Sequence, residues 1–352
     1  MGTTRLRVDR RKLLAGAGAF ACAAITSHSR AAGKTSLTLQ IPTRSGASWP
    51  LWIAQEGGYY EKYGIDAKIV FGVHPAGIAM LLSGEAQMTN YGLEQIVAAV
   101  ARDPSLVMMG SSLNKGSFGL IARSEITSVA QLKGKRIGVG RVGDVPYFYT
   151  LDLLAKHGIT ARDVQWISVP ADGAARAQVL LAGQTDAALL TPPAYYRLEA
   201  MGLKLLDSVI NYDDILISTA YVFKKSWVAA NRALPTAIIK AQAEAIKRFY
   251  DDKAFAVATY RKNDPQSQED VERMYDEYAT HNILDRVPLL SKAAVSAAAD
   301  RLAVDIPGAK TMDYAKVVDM SDVRKLIQDG FFEDLFGAGI KSELDRKKDS
   351  FA

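Results

Sequence analysis

The chain carries one cysteine, Cys22, and four histidines in 352 residues. That count excludes a disulfide framework. If Cys22 leaves with a cleaved leader, thiol catalysis, iron–sulfur clusters and Cys-ligated zinc are excluded as well. His28 sits in the leader, and His157 and His281 are far apart on helical segments, so no spacing points to a metal centre and none is expected. An excess of one charge is also missing from the part expected to remain. Residues 1–32 hold six Lys/Arg and one acid, which leaves 37 bases and 37 acids in residues 33–352, so the formal +5 carries no signal for nucleic acid. The uncharged stretch from Leu13 to Ser27 has 15 residues, short of the ~20 that a membrane-spanning helix needs. What is present, 49% apolar and 23% charged residues, is ordinary globular composition at a length of about two domains.

Residues 1–32 have the layout of an export signal. Arg10-Arg11 precede the apolar stretch and Ser29-Arg30-Ala31-Ala32 ends it with small residues. Asp9-Arg10-Arg11-Lys12-Leu13-Leu14 resembles a twin-arginine signal, with general secretory export as the other reading. Ala19-Phe20-Ala21 lacks the leucine expected three residues before a lipidated cysteine. The expected product is a lipid-free periplasmic protein beginning near Ala32 or Gly33.

The remaining chain reads as two copies of one unit. Ser36 to Ile41 alternates like a strand, Pro50 opens an apolar helix that Gly64 stops, Asp66 to Phe71 forms a second strand, and a short helix ends at Leu81-Leu82-Ser83-Gly84 before Ala86 to Thr89. The pattern recurs with a strand at Lys135 to Gly140, a helix from about Pro146 to His157, a strand at Val164 to Val169 and a helix ending Leu180-Leu181-Ala182-Gly183. Alternating strands and helices predict an α/β fold with two βαβ lobes and ligand sites beyond the carboxyl ends of the strands, facing each other across a central cleft. After Lys224 the sequence turns helical over Pro235 to Tyr250, Ala254 to Arg261, Ser267 to Thr280 and Ser291 to Ala303, and the polar end from Lys341 is expected to fray.

These segments resemble the periplasmic solute-binding proteins of ABC importers, in the nitrate, sulfonate, taurine and thiamine-precursor group. The resemblance is carried by Pro50 to Ile65, by Leu82-Ser83-Gly84-Glu85-Ala86-Gln87, by Val129 to Val139 and by Leu181 to Ala188. It covers most of residues 36–222. Gln87 and Gln131 stand where the family usually shows Asp, which predicts the loss of a cap or turn contact. The resemblance implies a type II periplasmic-binding fold whose lobes close like a hinge. Lobe one would be residues 33–122 plus 215–352, and lobe two residues 123–214. It also implies a small-molecule ligand, a membrane permease as partner, a monomer and no cofactor.

Four helix starts at the expected cleft, near Ser48-Trp49, His74, Asp144 and Asp172, offer backbone N–H groups suited to an anion. Each also reads simply as a cap. Asn90 and Tyr91 follow the third strand of the first unit, and Arg141 follows the strand ending at Gly140, where its planar fork could pair a carboxylate or sulfonate. Trp49, Tyr147, Tyr149, Tyr195 and Tyr196 would make the cleft walls aromatic, although tyrosines on helices are often packing residues, and Thr191 completes the set of expected ligand contacts. Asp144 and Asp172 would repel a second anion on lobe two, so a small organic acid or zwitterion (sulfonate, taurine-like or aromatic carboxylate) is expected rather than nitrate or a neutral pyrimidine.

Two other functions fit the same residues. Fungal thiamine-pyrimidine synthases are similar in fold and consume a histidine together with pyridoxal phosphate, but they depend on a cysteine-rich motif that this chain lacks. A ligand-sensing partner of a membrane receptor would use the same cleft. Gly138-Val139-Gly140 begins a dinucleotide fingerprint that Arg141-Val142-Gly143 breaks, and no nucleophile–base pair is visible, so a binding protein and not an enzyme is expected.

Overall fold

A computed structural model describes Gly2 and residues 33–72, 76–113, 115–169 and 173–351. The expected leader with Cys22 and His28, and the cleft candidates His74 and Asp172, lie outside the described residues. Ten strands form two five-stranded sheets. β1 (Thr35–Ile41), β2 (Ile65–Phe71), β3 (Met88–Gly92), β4 (Leu106–Met108) and β10 (Thr219–Lys224) build the first, in the order β2-β1-β3-β10-β4. β5 (Gly119–Ala122), β6 (Arg136–Val139), β7 (Gln165–Ser168), β8 (Ala187–Leu190) and β9 (Lys204–Ser208) build the second, in the order β7-β6-β8-β5-β9. In each sheet four strands from one half of the chain run parallel, and the strand that enters or leaves the other half, β10 or β5, runs antiparallel between two of them. The central strand β8, Ala-Ala-Leu-Leu, is buried on both faces, whereas the edge strand β2 exposes Asp66 and Lys68, which discourages further pairing.

β5 corrects the expected lobe boundary. Placed in lobe one by a cut at residue 122, it pairs instead with β8 and β9, because the chain leaves the first sheet before Gly119.

The repeats match residue by residue. Gly64 and Gly158, and likewise Gly84 and Gly183, end equivalent helices with left-handed φ of 75° and 68°, and of 87° and 69°. Gln87 and Asp186 do the same work in the two sheets. Gln87 Oε1 accepts the N–H of Thr38 on β1 at 2.7 Å, and Asp186 Oδ2 accepts that of Arg136 on β6 at 2.8 Å. The contact expected to be lost at Gln87 is therefore made, because the longer amide reaches the same N–H. Gln131 likewise accepts from Thr127 N and Ser128 N in a capping box.

Asp186 also holds the Arg136 guanidinium at 2.7 Å, and this bond keeps its carboxyl below the usual aspartate value. A depressed carboxyl contributes stability that is present above its unfolded pKa and lost as pH falls through the folded one. Asp186→Asn should therefore melt below the wild type at neutral pH. The gap should close as pH falls from about 4 toward 2, and a gap independent of pH in a melting series would contradict the pairing.

The Leu93–Arg102, Ala194–Ala200, Ser321–Gln328 and Phe331–Phe336 helices were not expected from the sequence, and two expected segments differ. The first apolar helix breaks in two at Gly57-Gly58, giving Trp49–Glu56 and Tyr59–Lys62, with Gly58 left-handed. The polar C-terminus, expected to fray, is docked through the Ile340–Arg346 helix. Glu343 Oε1 accepts from Val287 N at 2.9 Å, Lys347 pairs with Asp285 at 2.8 Å, and Arg324 donates to the Phe351 carbonyl. Burial lifts the Asp285 carboxyl to about 6 despite Lys347.

Candidate functional site

The carboxyl ends of the parallel strands form two rims. On the first, the chain turns from β1 through residues 42–48 into the Trp49–Glu56 helix. Ser48 is buried there, and its Oγ donates to the Thr43 carbonyl at 2.8 Å instead of capping the helix. Asn90, near the end of β3, donates to the Ala47 carbonyl at 3.1 Å, and this bond orients its amide. Its Oδ1 is buried with no partner among the described residues, leaving an acceptor at the rim. Gln40 ties the strand ends together by donating to the Ile41 and Gly72 carbonyls and accepting from Thr89 Oγ1. Tyr91 is fully buried beneath the Ala76–Ser83 helix, and burial lifts its phenol to about 12. Glycine is required at position 77 for this, since a methyl group there would stand 2.1 Å from Gln40 Oε1 and 2.7 Å from Tyr91 Cε2.

Trp49 does not face the rim. It is enclosed by Phe249, Tyr260, Tyr275 and Tyr278, all edge-on, and Nε1 donates to the Ala256 carbonyl at 2.8 Å. Reading it as a ligand contact is corrected: the C-terminal helices take up the whole ring.

On the second rim Asp144 caps the Val145–Lys156 helix, accepting from Tyr147 N and from Arg141 N, each at 3.0 Å. Burial raises its carboxyl, while these bonds and the charges of Arg176 and Arg141 act the other way. The Arg141 side chain is exposed beside it. Tyr147 is half-buried, edge-on to Trp166 with ring centroids 4.6 Å apart. Thr191 is half-buried where β8 ends, its carbonyl accepting from Ala194 N at 3.1 Å. The Tyr195 hydroxyl donates at 3.0 Å to Glu277 of the Gln268–Thr280 helix, so that hydroxyl is committed to the protein.

Sequence reasoning passed over Arg176. It is buried in the first turn of the Gly173–Leu181 helix, and a methyl group on Gly140 or Gly173 would stand 3.9 or 3.7 Å from its guanidinium nitrogens. A cation in a first helical turn opposes the macrodipole. Its charge lies close to the Asp144 carboxylate and favours the ionised form of that group.

The rims face each other. Val145 approaches Gly92, Asp305 approaches Gly143, and the Tyr149 hydroxyl, from the second lobe, meets both oxygens of Glu94 at 3.0 and 3.1 Å. Glu94 and Arg301, which pair at 3.0 Å, were also missed, because 207 residues separate them and each alone reads as a helix-end charge. Among the described residues no cluster of His, Cys, Asp and Glu suits a metal ion.

Two mixed sheets with facing rims and a helical C-terminal part define a two-lobed α/β fold of the periplasmic-binding-protein type. The chain belongs to the NMT1/THI5-like family, which it matches over residues 46–256. It is 34% identical over 117 residues to the 4-amino-5-hydroxymethyl-2-methylpyrimidine phosphate synthase of Schizosaccharomyces pombe, a match covering 32% of this chain and 33% of that protein. Matches to the Saccharomyces cerevisiae synthases reach 41% of their length, so this chain spans well under half of the curated relatives it matches. Among solved structures it resembles the alkanesulfonate-binding protein SsuA from Xanthomonas axonopodis pv. citri bound to MOPS, with a TM-score of 0.64, 20% identity and coverage of 82% of this chain and 99% of that one. It equally resembles the desulfurization enzyme DSZB, with a TM-score of 0.68, 16% identity and coverage of 84% and 99%. At these identities the resemblance establishes the fold.

Proposed function

We propose that this protein is exported and captures a small organic anion or zwitterion between its lobes for delivery to the permease of an ABC importer. In this reading lobe one comprises residues 34–113 and 219–351, lobe two comprises residues 119–208, and the two connections between them act as hinges. The carrying observation is the pair of facing strand rims, the second of which sets two arginines, Arg141 and the buried Arg176, against the single carboxylate of Asp144. A carboxylate or sulfonate is suited to the arginine side. The unpartnered Asn90 Oδ1 suits an N–H or O–H on the other end of the ligand, which favours a zwitterion or a hydroxylated acid over nitrate. Sulfonate binding by a protein of the same fold supports the ligand class.

Thermal-shift screening against sulfonates, aromatic acids, amino-sulfonates, nitrate and pyrimidines tests this directly, because ligand at 100 times its dissociation constant adds about 2.7 kcal/mol. The best ligand should also compact the protein in solution scattering. Arg141→Ala should weaken its binding roughly tenfold or more, as expected for one charge-assisted hydrogen bond. Unchanged affinity by calorimetry would remove Arg141 from the site, and tight binding of nitrate or an uncharged compound would overturn the ligand class.

A second reading, a pyrimidine-precursor binder or synthase, is favoured by the local identity to the yeast enzymes. It expects a neutral pyrimidine to win the screen, and mass loss at His74 on incubation with pyridoxal phosphate and iron. A third, ligand sensing for a membrane receptor, would share the ligand but require a receptor in place of the permease.

A further inference from the structure

We propose that Glu94, Tyr149, Asp152 and Arg301 form a latch between the lobes that sets the balance of open and closed forms. The inference rests on the two-lobe reading above. Arg301, on the Lys292–Leu302 helix, donates to Glu94 Oε1 at 3.0 Å and to the Leu216 carbonyl, in the connection back to the first lobe, at 3.1 Å. Glu94 stands in the first turn of the Leu93–Arg102 helix, directly after the β3 rim, where the helix N-terminus favours its charge. These two residues are both on the first lobe. Tyr149 and Asp152 come from the Val145–Lys156 helix of the second. The Tyr149 hydroxyl bridges both oxygens of Glu94, and Asp152 Oδ2 accepts from Arg301 Nη2 at 2.7 Å and Nε at 3.2 Å. The Arg301 guanidinium also lies 5.1 Å from the centre of the Tyr149 ring.

Burial turns this contact into a device. The Glu94 and Arg301 side chains are 4% and 13% exposed, and Tyr149 is fully buried. When the lobes part, the Glu94 and Arg301 pair stays whole on lobe one, but its bonds to Tyr149 and Asp152 break and water replaces them. What breaks is the Tyr149–Glu94 hydrogen bonding and the Arg301–Asp152 pair, whose aspartate is 33% exposed, so water regained on opening offsets much of what these contacts contribute. Such a contact holds the lobes in balance without locking them, so the loss of one or two hydrogen bonds moves the equilibrium. Apparent affinity scales with the fraction of molecules in the competent form, so the latch also tunes ligand capture.

The test reads lobe separation without any ligand. In the full chain carrying Cys22→Ser, Asp66→Cys and Lys204→Cys place two spin labels on exposed strand starts, at the ends of the sheets away from the facing rims. Tyr149→Phe, which keeps the ring, and Tyr149→Phe with Asp152→Asn should raise the ratio of long to short label distances, the double variant by at least tenfold. Glu125→Gln, which removes an exposed pair with Arg123 inside lobe two, is the control and should leave the distances unchanged. Unaltered distances in both latch variants, with only a lower melting temperature, would reduce the cluster to packing and overturn the proposal. A shift in distances with no binder anywhere in the ligand screen would uphold the latch while removing the transport reading.

Discussion

Trp49→Ala is expected to lower the unfolding free energy by about 3–5 kcal/mol, the range for removing a large aromatic from a packed core. Trp49 is fully buried at the start of its helix, and four rings from the helices that follow β10 meet it edge-on, with centroids 4.9 to 6.2 Å away. Edge-on pairs add about 0.5–1.5 kcal/mol each beyond the area they bury, and the bond from Nε1 to the Ala256 carbonyl is lost as well. Those neighbours are anchored on three helices, so the space left behind cannot close by moving one of them. At roughly 2–4 °C per kcal/mol for a domain of this size, the melting midpoint should fall by on the order of 10 °C. Trp49→Phe should lose less, because a ring remains. Because Trp49 lies outside the rims, the folded variant should bind ligand with unchanged affinity. A midpoint within about 2 °C of the wild type would show that this cluster does not hold the C-terminal helices to the first lobe.

Trp49 also shows where the sequence stops being informative. An aromatic beside an early helical proline reads equally as cleft wall or core, and the group that decides it, the Ala256 carbonyl, lies 207 residues away. Local patterns did reveal the duplication, since chain direction, glycine caps and strand order repeat whenever a unit is copied. The exchange of Asp for Gln at position 87 left that architecture intact because both side chains reach the same backbone N–H. Long-range polar pairing was not legible. Glu343, Lys347 and Asp285 lie in polar stretches that read as solvated, yet they satisfy one another inside the protein. Glu94, Arg301 and Arg176 stayed hidden for the same reason, because their burial depends on partners that no spacing reveals. Only the placement of Arg176 against its own helix dipole carried a local warning.

Glu277→Ala should cost about 3–4 kcal/mol, because three buried hydroxyls lose their acceptor at once and each unsatisfied group costs about 1–3 kcal/mol before water relaxes into the space. Ser117 Oγ donates to Glu277 Oε1, while the hydroxyls of Tyr195 and Tyr196 converge on Oε2 at 3.0 and 2.6 Å. Burial and the nearby carboxylate hold both phenols well above their ordinary values, so they remain donors at any physiological pH. Arg273, one turn earlier on the same helix, stacks 3.9 Å from the Tyr196 ring centre and pairs with Glu199 at 2.9 Å. The Gln268–Thr280 helix thus grips both the segment entering the second sheet and the Ala194–Ala200 helix that follows β8. Such a grip fits a pivot, because it joins the C-terminal helices to lobe two beside a chain crossing. Glu277→Gln keeps one acceptor oxygen but turns a donor toward hydroxyls, and it should cost less than the alanine variant. Tyr195→Phe and Tyr196→Phe should each cost about 1 kcal/mol. A double-mutant cycle of either with Glu277→Ala should be clearly non-additive, because each phenylalanine removes a hydroxyl that the alanine variant would otherwise leave unpaired. Since the Tyr195 hydroxyl is committed here, Tyr195→Phe should leave ligand affinity unchanged while lowering the urea midpoint. Weakened ligand binding at unchanged stability would return Tyr195 to the cleft and show that Glu277 is not its partner in solution.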